Sequence, residues 1–235
     1  MIVFILSFVA FASNVGIDIQ ELEYAQSRWV VVTVDPALAQ MHLVGFEKEH
    51  RGIQKAYEYA QETGWKPVVL MNGGMFHSNG QSVGLHIEEG VELVPLNTKK
   101  GKGNFYLLPN GVFGLSGDNI PFIEPTEKFN IKSAQLATQS GPLLVQEGKI
   151  HPAFNPDSKS VYIRNAVGVT LEQRIVLVIS LEPVCFYDLA TLMKNVLKCS
   201  NALYLDGAIS VVHSPEHPSL EHNSPLGPIL VVGER

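Results

Sequence analysis

The 235-residue sequence contains few charged residues and only two cysteines. Charged residues make up 17% of the chain and the net charge is −6. A protein that binds nucleic acid needs clustered Lys and Arg to neutralise the phosphates. The one basic cluster, Lys99-Lys100-Gly101-Lys102, is typical of a solvated loop. We therefore expect no nucleic-acid partner.

Several motifs of common enzymes are also absent from the chain. There is no Gly-x-Ser-x-Gly elbow, no P-loop and no His-Glu-x-x-His pair. These absences argue, weakly, against a common serine hydrolase or nucleotide-triphosphate site, and against a zinc protease. His213, His217 and His222 fall in one Pro-rich segment and are predicted to be surface residues. We predict no metal site.

The two cysteines, Cys185 and Cys199, flank a segment with helical periodicity. A helix of that length would separate their Cα atoms by about 20 Å, because each residue adds about 1.5 Å. A disulfide requires Cα atoms within about 7 Å. The spacing therefore predicts two free thiols, neither with metal-ligand spacing.

The first twelve residues form an apolar run, broken only by Ser7, that is too short to span a bilayer. Ala10-Phe11-Ala12 fits a signal-peptidase site, although no Lys or Arg precedes the run. A buried N-terminal strand is the alternative. We predict that residues 1–12 are a signal peptide and that the mature protein is periplasmic or extracellular. We expect no stable membrane insertion after cleavage.

A chain of this length with 46% hydrophobic residues can bury one large core. We predict a single domain over residues 20–235. The β-branched run at 28–35 predicts a strand, with 41–46 as its hairpin partner. Residues 52–63 have helical spacing before Gly64, a good C-terminal cap.

The remaining pattern consists mainly of short apolar runs separated by turns. Glu89-Gly90 and Asn110-Gly111 each lie between two such runs and indicate hairpins. The strand at 174–181, the helix at 187–198 and the strand at 202–206 predict a β-α-β unit with a right-handed crossover. The predicted class is α+β: a mixed, largely antiparallel β-sheet core, a few flanking helices and one C-terminal β-α-β unit.

Polar or Gly-rich segments follow several of the predicted strands, where ligands often gather in sheets. Asp206 and Glu182 form the best carboxylate pair for acid/base or nucleophilic work on a glycosidic bond. Arg164 offers donors that match a phosphate, or else an ion pair with Glu172. Each glycine segment could instead be a simple bend. The candidate substrate-binding residues are Asn72, Gly73, Gly74, Gln139, Ser140, Gly141, Arg164 and Ser210.

An ordered set of short segments resembles the phosphodiester glycosidase family, and most closely its compact bacterial branch. No segment is specific alone, but together they span most of the chain. They are Met71-Asn72-Gly73-Gly74-Met75-Phe76, Val83-Gly84-Leu85, Gly103-Asn104-Phe105-Tyr106, Asn110-Gly111-Val112-Phe113, Thr138-Gln139-Ser140-Gly141-Pro142-Leu143, Arg164-Asn165-Ala166-Val167-Gly168 and Leu203-Tyr204-Leu205-Asp206-Gly207.

The resemblance implies hydrolysis of a sugar-1-phosphodiester at its glycosidic bond, without a redox or nucleotide cofactor and with a divalent cation left open. In this hypothesis Arg164 and the amides near Gly73, Gly74 and Gly141 hold the phosphodiester. Asp206 or Glu182 supplies the carboxylate chemistry, while Asn72 and Ser210 bond the sugar hydroxyls. The alternatives are a non-catalytic binding protein for exported polysaccharide or phosphodiester polymers, and an envelope structural protein.

Overall fold

The computed structural model of the protein describes residues 16–130, 133–206, 209–218 and 226–235. Within these ranges the chain forms sixteen β-strands and two short α-helices. The strands are β1 (Ile17–Tyr24), β2 (Ser27–Val34), β3 (Ala39–Val44), β4 (Lys66–Asn72), β5 (His86–Glu88), β6 (Val91–Val94), β7 (Gly111–Ser116), β8 (Pro121–Pro125), β9 (Ala134–Ser140), β10 (Leu143–Gln146), β11 (Lys149–Ile150), β12 (Asn165–Thr170), β13 (Ile175–Ser180), β14 (Cys199–Tyr204), β15 (Val212–His213) and β16 (Ile229–Glu234). The helices are α1 (Ile53–Glu62) and α2 (Phe186–Thr191), and a π-helical turn (Leu192–Val196) continues α2.

The described strands assemble into three antiparallel sheets. The seven-stranded sheet has the order β1-β2-β13-β12-β14-β10-β11, the four-stranded sheet the order β15-β4-β16-β3, and the five-stranded sheet the order β6-β5-β9-β7-β8. This architecture is consistent with the predicted α+β class and its largely antiparallel core.

The segment predicted to form a β-α-β unit contains β13, α2 and β14. Both strands pair antiparallel with β12, which lies between them in the sheet. They therefore run in the same direction without being neighbours. The right-handed crossover stays a prediction.

The largest apolar cluster draws on strands of all three sheets. β13 contributes Ile175, Leu177 and Ile179 to it, while Val176 and Val178 pack on the opposite face in the cluster that contains α2. Because side chains alternate along a strand, a strand covered on both faces needs apolar residues throughout. Full burial of each such side chain stabilises the fold by about 1.5–3 kcal/mol. This explains the unbroken apolar run in the sequence.

Two local predictions are confirmed by the backbone. The helix predicted at 52–63 is α1, and Gly64 follows it at φ +85°. Glu89 and Gly90 join β5 to β6 with φ of +48° and +77°. Positive φ at both central residues is what a two-residue type I′ hairpin requires.

Two predicted hairpins are wrong. β3, predicted as the partner of β2, pairs instead with β16, because both edges of β2 are occupied by β1 and β13. Asn110-Gly111 does not join two strands, because Asn104–Tyr106 forms a 3₁₀ turn. The Asn110 side chain donates to the Phe105 carbonyl at 2.9 Å, and β7 pairs with β8.

The histidine predictions have mixed outcomes. His213 lies buried in β15 with its ring edge-on to Tyr57, so its predicted surface position is wrong. Burial lowers the pKa of His213. His217 is partly exposed and pairs with Glu21 at 3.2 Å. His222 lies outside the described residues.

The cysteine prediction is confirmed, since Cys185 and Cys199 are both free and buried. Burial raises the pKa of the Cys199 thiol to about 12. The predicted signal peptide at 1–12 lies outside the described residues. Where the structure describes the chain, no helix combines the length and hydrophobicity needed to cross a membrane.

Candidate active site at the strand ends

Two buried asparagines connect the strand ends of two sheets. Asn72 ends β4 and Asn165 begins β12, and both are fully buried. Asn165 Nδ2 donates to the backbone oxygen of Asn72 at 2.9 Å and to its Oδ1 at 3.1 Å. Asp206 N donates to Asn165 Oδ1 at 2.9 Å, and Val211 N donates to Asn72 Oδ1 at 2.8 Å. We call Asn72, Asn165, Asp206 and Val211 the strand-end network.

One polar atom of this network has no hydrogen-bond partner among the described residues. The side-chain nitrogen Nδ2 of Asn72 is buried and unpaired, although Oδ1 of the same amide accepts two hydrogen bonds. A buried donor without a partner costs about 1–3 kcal/mol. Among the described residues, Asn72 Nδ2 is thus an unused donor in a network that reaches the Asp206 backbone through Asn165.

Ser210 belongs to the same loop as Asp206. Its hydroxyl lies within hydrogen-bond distance of the carbonyl oxygens of Asp206 and Ile163, at 2.5 and 3.3 Å. Ser210 therefore closes the 206–210 loop onto the residue before Arg164. Gly207 and Ala208, inside that loop, lie outside the described residues.

Arg164 lies in the protein interior, enclosed by aromatic rings. It is fully buried, and its guanidinium carbon is 3.8 Å from the Phe186 ring centroid. Its nitrogens donate to the Val184 carbonyl at 2.9 Å, the Ser160 carbonyl at 3.0 Å and the Tyr204 hydroxyl at 3.1 Å. These partners are neutral oxygens, so the predicted alternative of an ion pair with Glu172 is wrong.

The Tyr204 hydroxyl accepts a hydrogen bond from Arg164, and Tyr204 lies two residues before Asp206 in the chain. Burial raises the pKa of Tyr204 to about 12. The Arg164 cation and a hydrogen bond with Asn104 oppose this rise in pKa, whereas the negative charge of Asp206 adds to it. Tyr204 is therefore protonated at neutral pH. Of these groups, Arg164 contacts the phenol directly, since its Nη1 donates to the Tyr204 hydroxyl at 3.1 Å. Tyr204, Asn104 and Asn165 were not predicted site residues, although all three lie within the family-like segments.

Gly73 and Gly74 have a packing role in this structure. The Gly73 amide donates to the Pro228 carbonyl at 2.7 Å and the Gly74 amide to Thr138 Oγ1 at 3.2 Å. A Cβ at Gly74 would lie 2.5 Å from the Gln139 carbonyl oxygen. The glycines allow β4 and β9 to approach closely. Because both amides already have acceptors, the expectation that they hold an anion is not met by this geometry.

Gln139 forms hydrogen bonds with its whole side-chain amide. Its Oε1 accepts from the amides of Leu85 and Asn97 at 3.0 and 2.9 Å. Its Nε2 donates to the Asn97 carbonyl at 2.8 Å and to Thr126 Oγ1 at 3.1 Å. An amide side chain offers two donors and about two acceptor positions, so none is left for a ligand. Gln139 therefore holds neighbouring loops together, in place of the predicted substrate contact.

Ser140 and Gly141 continue this structural role. The Ser140 hydroxyl, fully buried, donates to the carbonyl of Leu205 at 2.5 Å and so fixes the residue before Asp206. A Cβ at Gly141 would lie 2.6 Å from Cβ of Asn110. Ser140 therefore supports the strand that leads to Asp206, and the glycine at 141 allows close packing against Asn110.

Glu182 binds Arg28 and does not join Asp206. Its carboxylate accepts from the Arg28 amide at 2.6 Å and from Arg28 Nε and Nη2 at 2.9 and 2.8 Å. These hydrogen bonds lower the pKa of Glu182. Glu182 follows β13 and Asp206 follows β14, two strand spacings apart across β12.

The structure shows Glu182 bound to Arg28 and does not bring the predicted carboxylate pair together. Two strand spacings are about 10 Å, and Arg28 draws Glu182 further away, toward β2. Glycosidase carboxylates lie about 5–9.5 Å apart, depending on the stereochemistry. Of the predicted pair, only Asp206 lies at the strand-end network.

Among the residues that the structure describes, no group of three or more His, Cys, Asp or Glu side chains is arranged to bind a metal ion. The requirement for a divalent cation is therefore a question for the activity assay.

The structure resembles solved proteins over nearly its whole length. The catalytic domain of zebrafish N-acetylglucosamine-1-phosphodiester alpha-N-acetylglucosaminidase, auto-inhibited by its pro-peptide, superposes with a TM-score of 0.64 and 17% identity, covering 97% of this chain and 82% of that chain. A hypothetical protein from Synechocystis has a TM-score of 0.61 and 13% identity, covering 97% and 64%. At these identities the likeness establishes the fold.

Sequence comparison adds a relative and a family. The uncharacterized protein YigE of Escherichia coli K12 is 39% identical over 142 residues, which are 60% of this chain and 56% of that protein. The match thus spans just over half of the relative. The model of the phosphodiester glycosidase family matches residues 66–227, which include the strand-end network. The chain belongs to the phosphodiester glycosidase family.

Proposed function

We propose that the protein hydrolyses the glycosidic bond of a sugar-1-phosphodiester at the strand-end network, with Asp206 as the reacting carboxylate. Family membership supports the reaction class. The observation that carries the location is the buried Nδ2 of Asn72, which has no hydrogen-bond partner in the described part of the chain; a ligand oxygen would satisfy this donor.

Asn72 and Asp206 have different roles in this proposal. Asn72 donates from Nδ2 to an oxygen of the sugar or of the phosphodiester. Asp206 stabilises the positive charge that develops at the anomeric carbon, or attacks that carbon directly. The leaving group is a phosphomonoester of low basicity, so it needs little protonation, and stabilisation of charge matters more than a strong general acid.

Arg164 acts indirectly through Tyr204. Its buried guanidinium donates to the Tyr204 hydroxyl and so fixes the ring of β14, the strand that leads to Asp206. Arg164 is thus a positioning residue and not the anion ligand that the sequence predicts. Ser210 holds the 206–210 loop in place through backbone oxygens.

The test is a steady-state assay on an alkyl N-acetylglucosamine-1-phosphodiester, with and without chelator. We expect Asp206→Asn to lower kcat by about 100-fold or more, the usual effect of losing one stabilising group. Glu182→Gln is the matched control and should retain activity, because Glu182 is bound to Arg28. Equal losses in both variants, or full activity in Asp206→Asn, would contradict the proposed site.

The same experiment separates an enzyme from a binding protein. A binding protein would show no turnover, yet exported phosphodiester polymers would raise its melting temperature, since a ligand stabilises by RT ln(1 + [L]/Kd). The proposed substrate is an envelope or extracellular phosphoglycan, which requires export. Cell fractionation with N-terminal sequencing of the mature protein would test export and the predicted leader.

A further inference from the structure

Outside the strand-end network, three side chains form a chain of hydroxyl, imidazole and carboxylate. Ser82 Oγ lies 2.7 Å from His86 Nδ1, and His86 Nε2 lies 2.7 Å from Glu88 Oε1. His86 is fully buried, and Ser82 is 9% exposed. This is the order of groups by which serine hydrolases activate a nucleophile, although here the serine lies at Nδ1 and the carboxylate at Nε2.

The hydrogen-bond partners determine which His86 nitrogen carries the proton. An ionised carboxylate only accepts, so Nε2 donates to Glu88 and Nδ1 keeps a lone pair toward the Ser82 hydroxyl. Glu88 is itself fixed, because its Oε1 also accepts from the Phe46 amide at 3.0 Å. His86 is therefore a base directed at one hydroxyl.

Ser82 lines a pocket of about 440 Å³, within the usual range of about 300–1,000 Å³ for small-ligand sites. Much of the wall is apolar, with Phe46, Val83 and Leu96 among its residues, and Lys99 lines the same pocket. An apolar wall beside a polar nucleophile suits an acyl chain better than a bare sugar.

Arg51 holds the turn that precedes Ser82. Its Nη1 donates to the Asn79 carbonyl at 2.7 Å, and its Nη2 and Nε donate to the carbonyls of Phe46 and Gly45 at 2.6 and 3.0 Å. The segment carrying Ser82 and the segment carrying Phe46 are thereby tied to one side chain. This rigidity is what a preorganised site requires.

We propose that Ser82 is the nucleophile of a second hydrolytic site, which removes short acyl groups from esters. Ser82 Oγ attacks the ester carbonyl carbon while its proton passes to His86 Nδ1. The bond to the alcohol oxygen breaks, and His86 returns the proton to the leaving alcohol. Water, deprotonated by His86 Nδ1, then attacks the acyl carbon; the bond to Ser82 Oγ breaks, His86 returns the proton to Ser82 Oγ, and the carboxylic acid is released. Lys99 and Thr98 line the pocket and offer donors to the oxyanion.

The direct test is covalent labelling of the full-length protein with a fluorophosphonate probe, followed by peptide mass spectrometry. Attack by Ser82 Oγ on phosphorus displaces fluoride and leaves a stable adduct on that residue. Hydrolysis of p-nitrophenyl acetate and butyrate is measured in parallel. Adduct on Ser82 together with turnover supports the proposal, whereas no adduct, or an adduct only elsewhere, overturns it.

Variants separate a catalytic role from a structural one. Ser82→Ala should abolish the adduct and lower ester hydrolysis about 100-fold or more. Ser78→Ala, an exposed serine in the preceding turn, is the matched control and should behave like the unmodified protein. Retained ester hydrolysis in Ser82→Ala would overturn the proposal.

The imidazole and its carboxylate are tested in the same assays. His86→Gln should lose labelling by the fluorophosphonate probe while its circular dichroism spectrum stays native. If His86→Gln does not fold, the Ser82→Ala variant still tests whether Ser82 is the nucleophile. Glu88 is a positioning residue, so Glu88→Gln should lower kcat and leave KM nearly unchanged. Unchanged kcat in a folded Glu88→Gln would remove Glu88 from the mechanism and count against the relay.

Discussion

Replacing Gly74 by alanine tests whether the Asn72-Gly73-Gly74 segment serves packing or anion binding. A Cβ at Gly74 would lie 2.5 Å from the Gln139 carbonyl oxygen and closer still to Thr138 Oγ1. Because the Gln139 oxygen belongs to the backbone of β9, the strands must separate to accept the methyl group.

The expected loss of stability follows from this clash. Overpacking a closely packed site costs about 1–3 kcal/mol. Restricting the unfolded chain by Gly→Ala returns about 0.4–1 kcal/mol. We therefore expect Gly74→Ala to lower the free energy of unfolding by about 1–2 kcal/mol. For a domain of this size that corresponds to a fall in Tm of about 2–8 °C.

The measurement is thermal and urea unfolding with Gly117→Ala as the matched control. At Gly117 the nearest atom to a new Cβ, the Ser133 carbonyl oxygen, is 3.8 Å away, so the methyl group makes ordinary contact. Its stability should be unchanged or slightly raised. If Gly74→Ala unfolds like the unmodified protein but loses phosphodiester hydrolysis, the packing argument is refuted and the anion-binding role is restored.

Two further predictions concern buried polar side chains. Arg164→Met should lower the free energy of unfolding by about 3 kcal/mol in urea titrations. The reason is that the Val184 and Ser160 carbonyls and the Tyr204 hydroxyl lose their hydrogen-bond donor. A raised KM with unchanged stability would instead indicate that Arg164 binds substrate. Burial lowers the pKa of His213 below its ordinary value of 6.5, so the unfolded chain binds the proton first. The contribution of His213 is therefore complete above about pH 6.5 and lost as the pH falls toward the folded pKa, and His213→Gln should reduce the fall in Tm between pH 7 and 5; an identical pH profile would contradict this.

Local features of the fold could be predicted from local sequence. The apolar run of β13, the spacing of α1 and the Glu89-Gly90 turn each depend on neighbouring residues and backbone preferences. Pairing between distant strands did not follow in the same way. The hairpin predicted for β2 and β3 fails because β13, more than 130 residues further along, occupies the edge of β2. A local sequence pattern does not indicate which distant strand will pair with the edge of a given strand.

The predicted residues of the candidate site also fall into two groups, those that the structure connects and those that it does not. Asn72, Asp206 and Ser210 were predicted from polar residues after apolar strands, and hydrogen bonds through Asn165 and the Asp206 carbonyl connect them in the structure. Gln139, Arg164 and Glu182 were predicted by the same reasoning, but their hydrogen-bonding groups are engaged within the protein.

The sequence by itself determined the family, through an ordered set of segments, and it marked Asn72-Gly73-Gly74 as either a ligand-binding segment or a simple bend. Only the tertiary structure decided what approaches there, namely β9 through Thr138 and Gln139 and not a ligand. The physical reason is that a glycine in the sequence indicates close packing, and an amide side chain indicates hydrogen bonding. The atoms that pack against the glycine or bond to the amide belong to residues far away in the chain, so the sequence near them does not identify them. The same holds for Asn72 Nδ2, because only the folded structure shows that none of the described residues accepts a hydrogen bond from it.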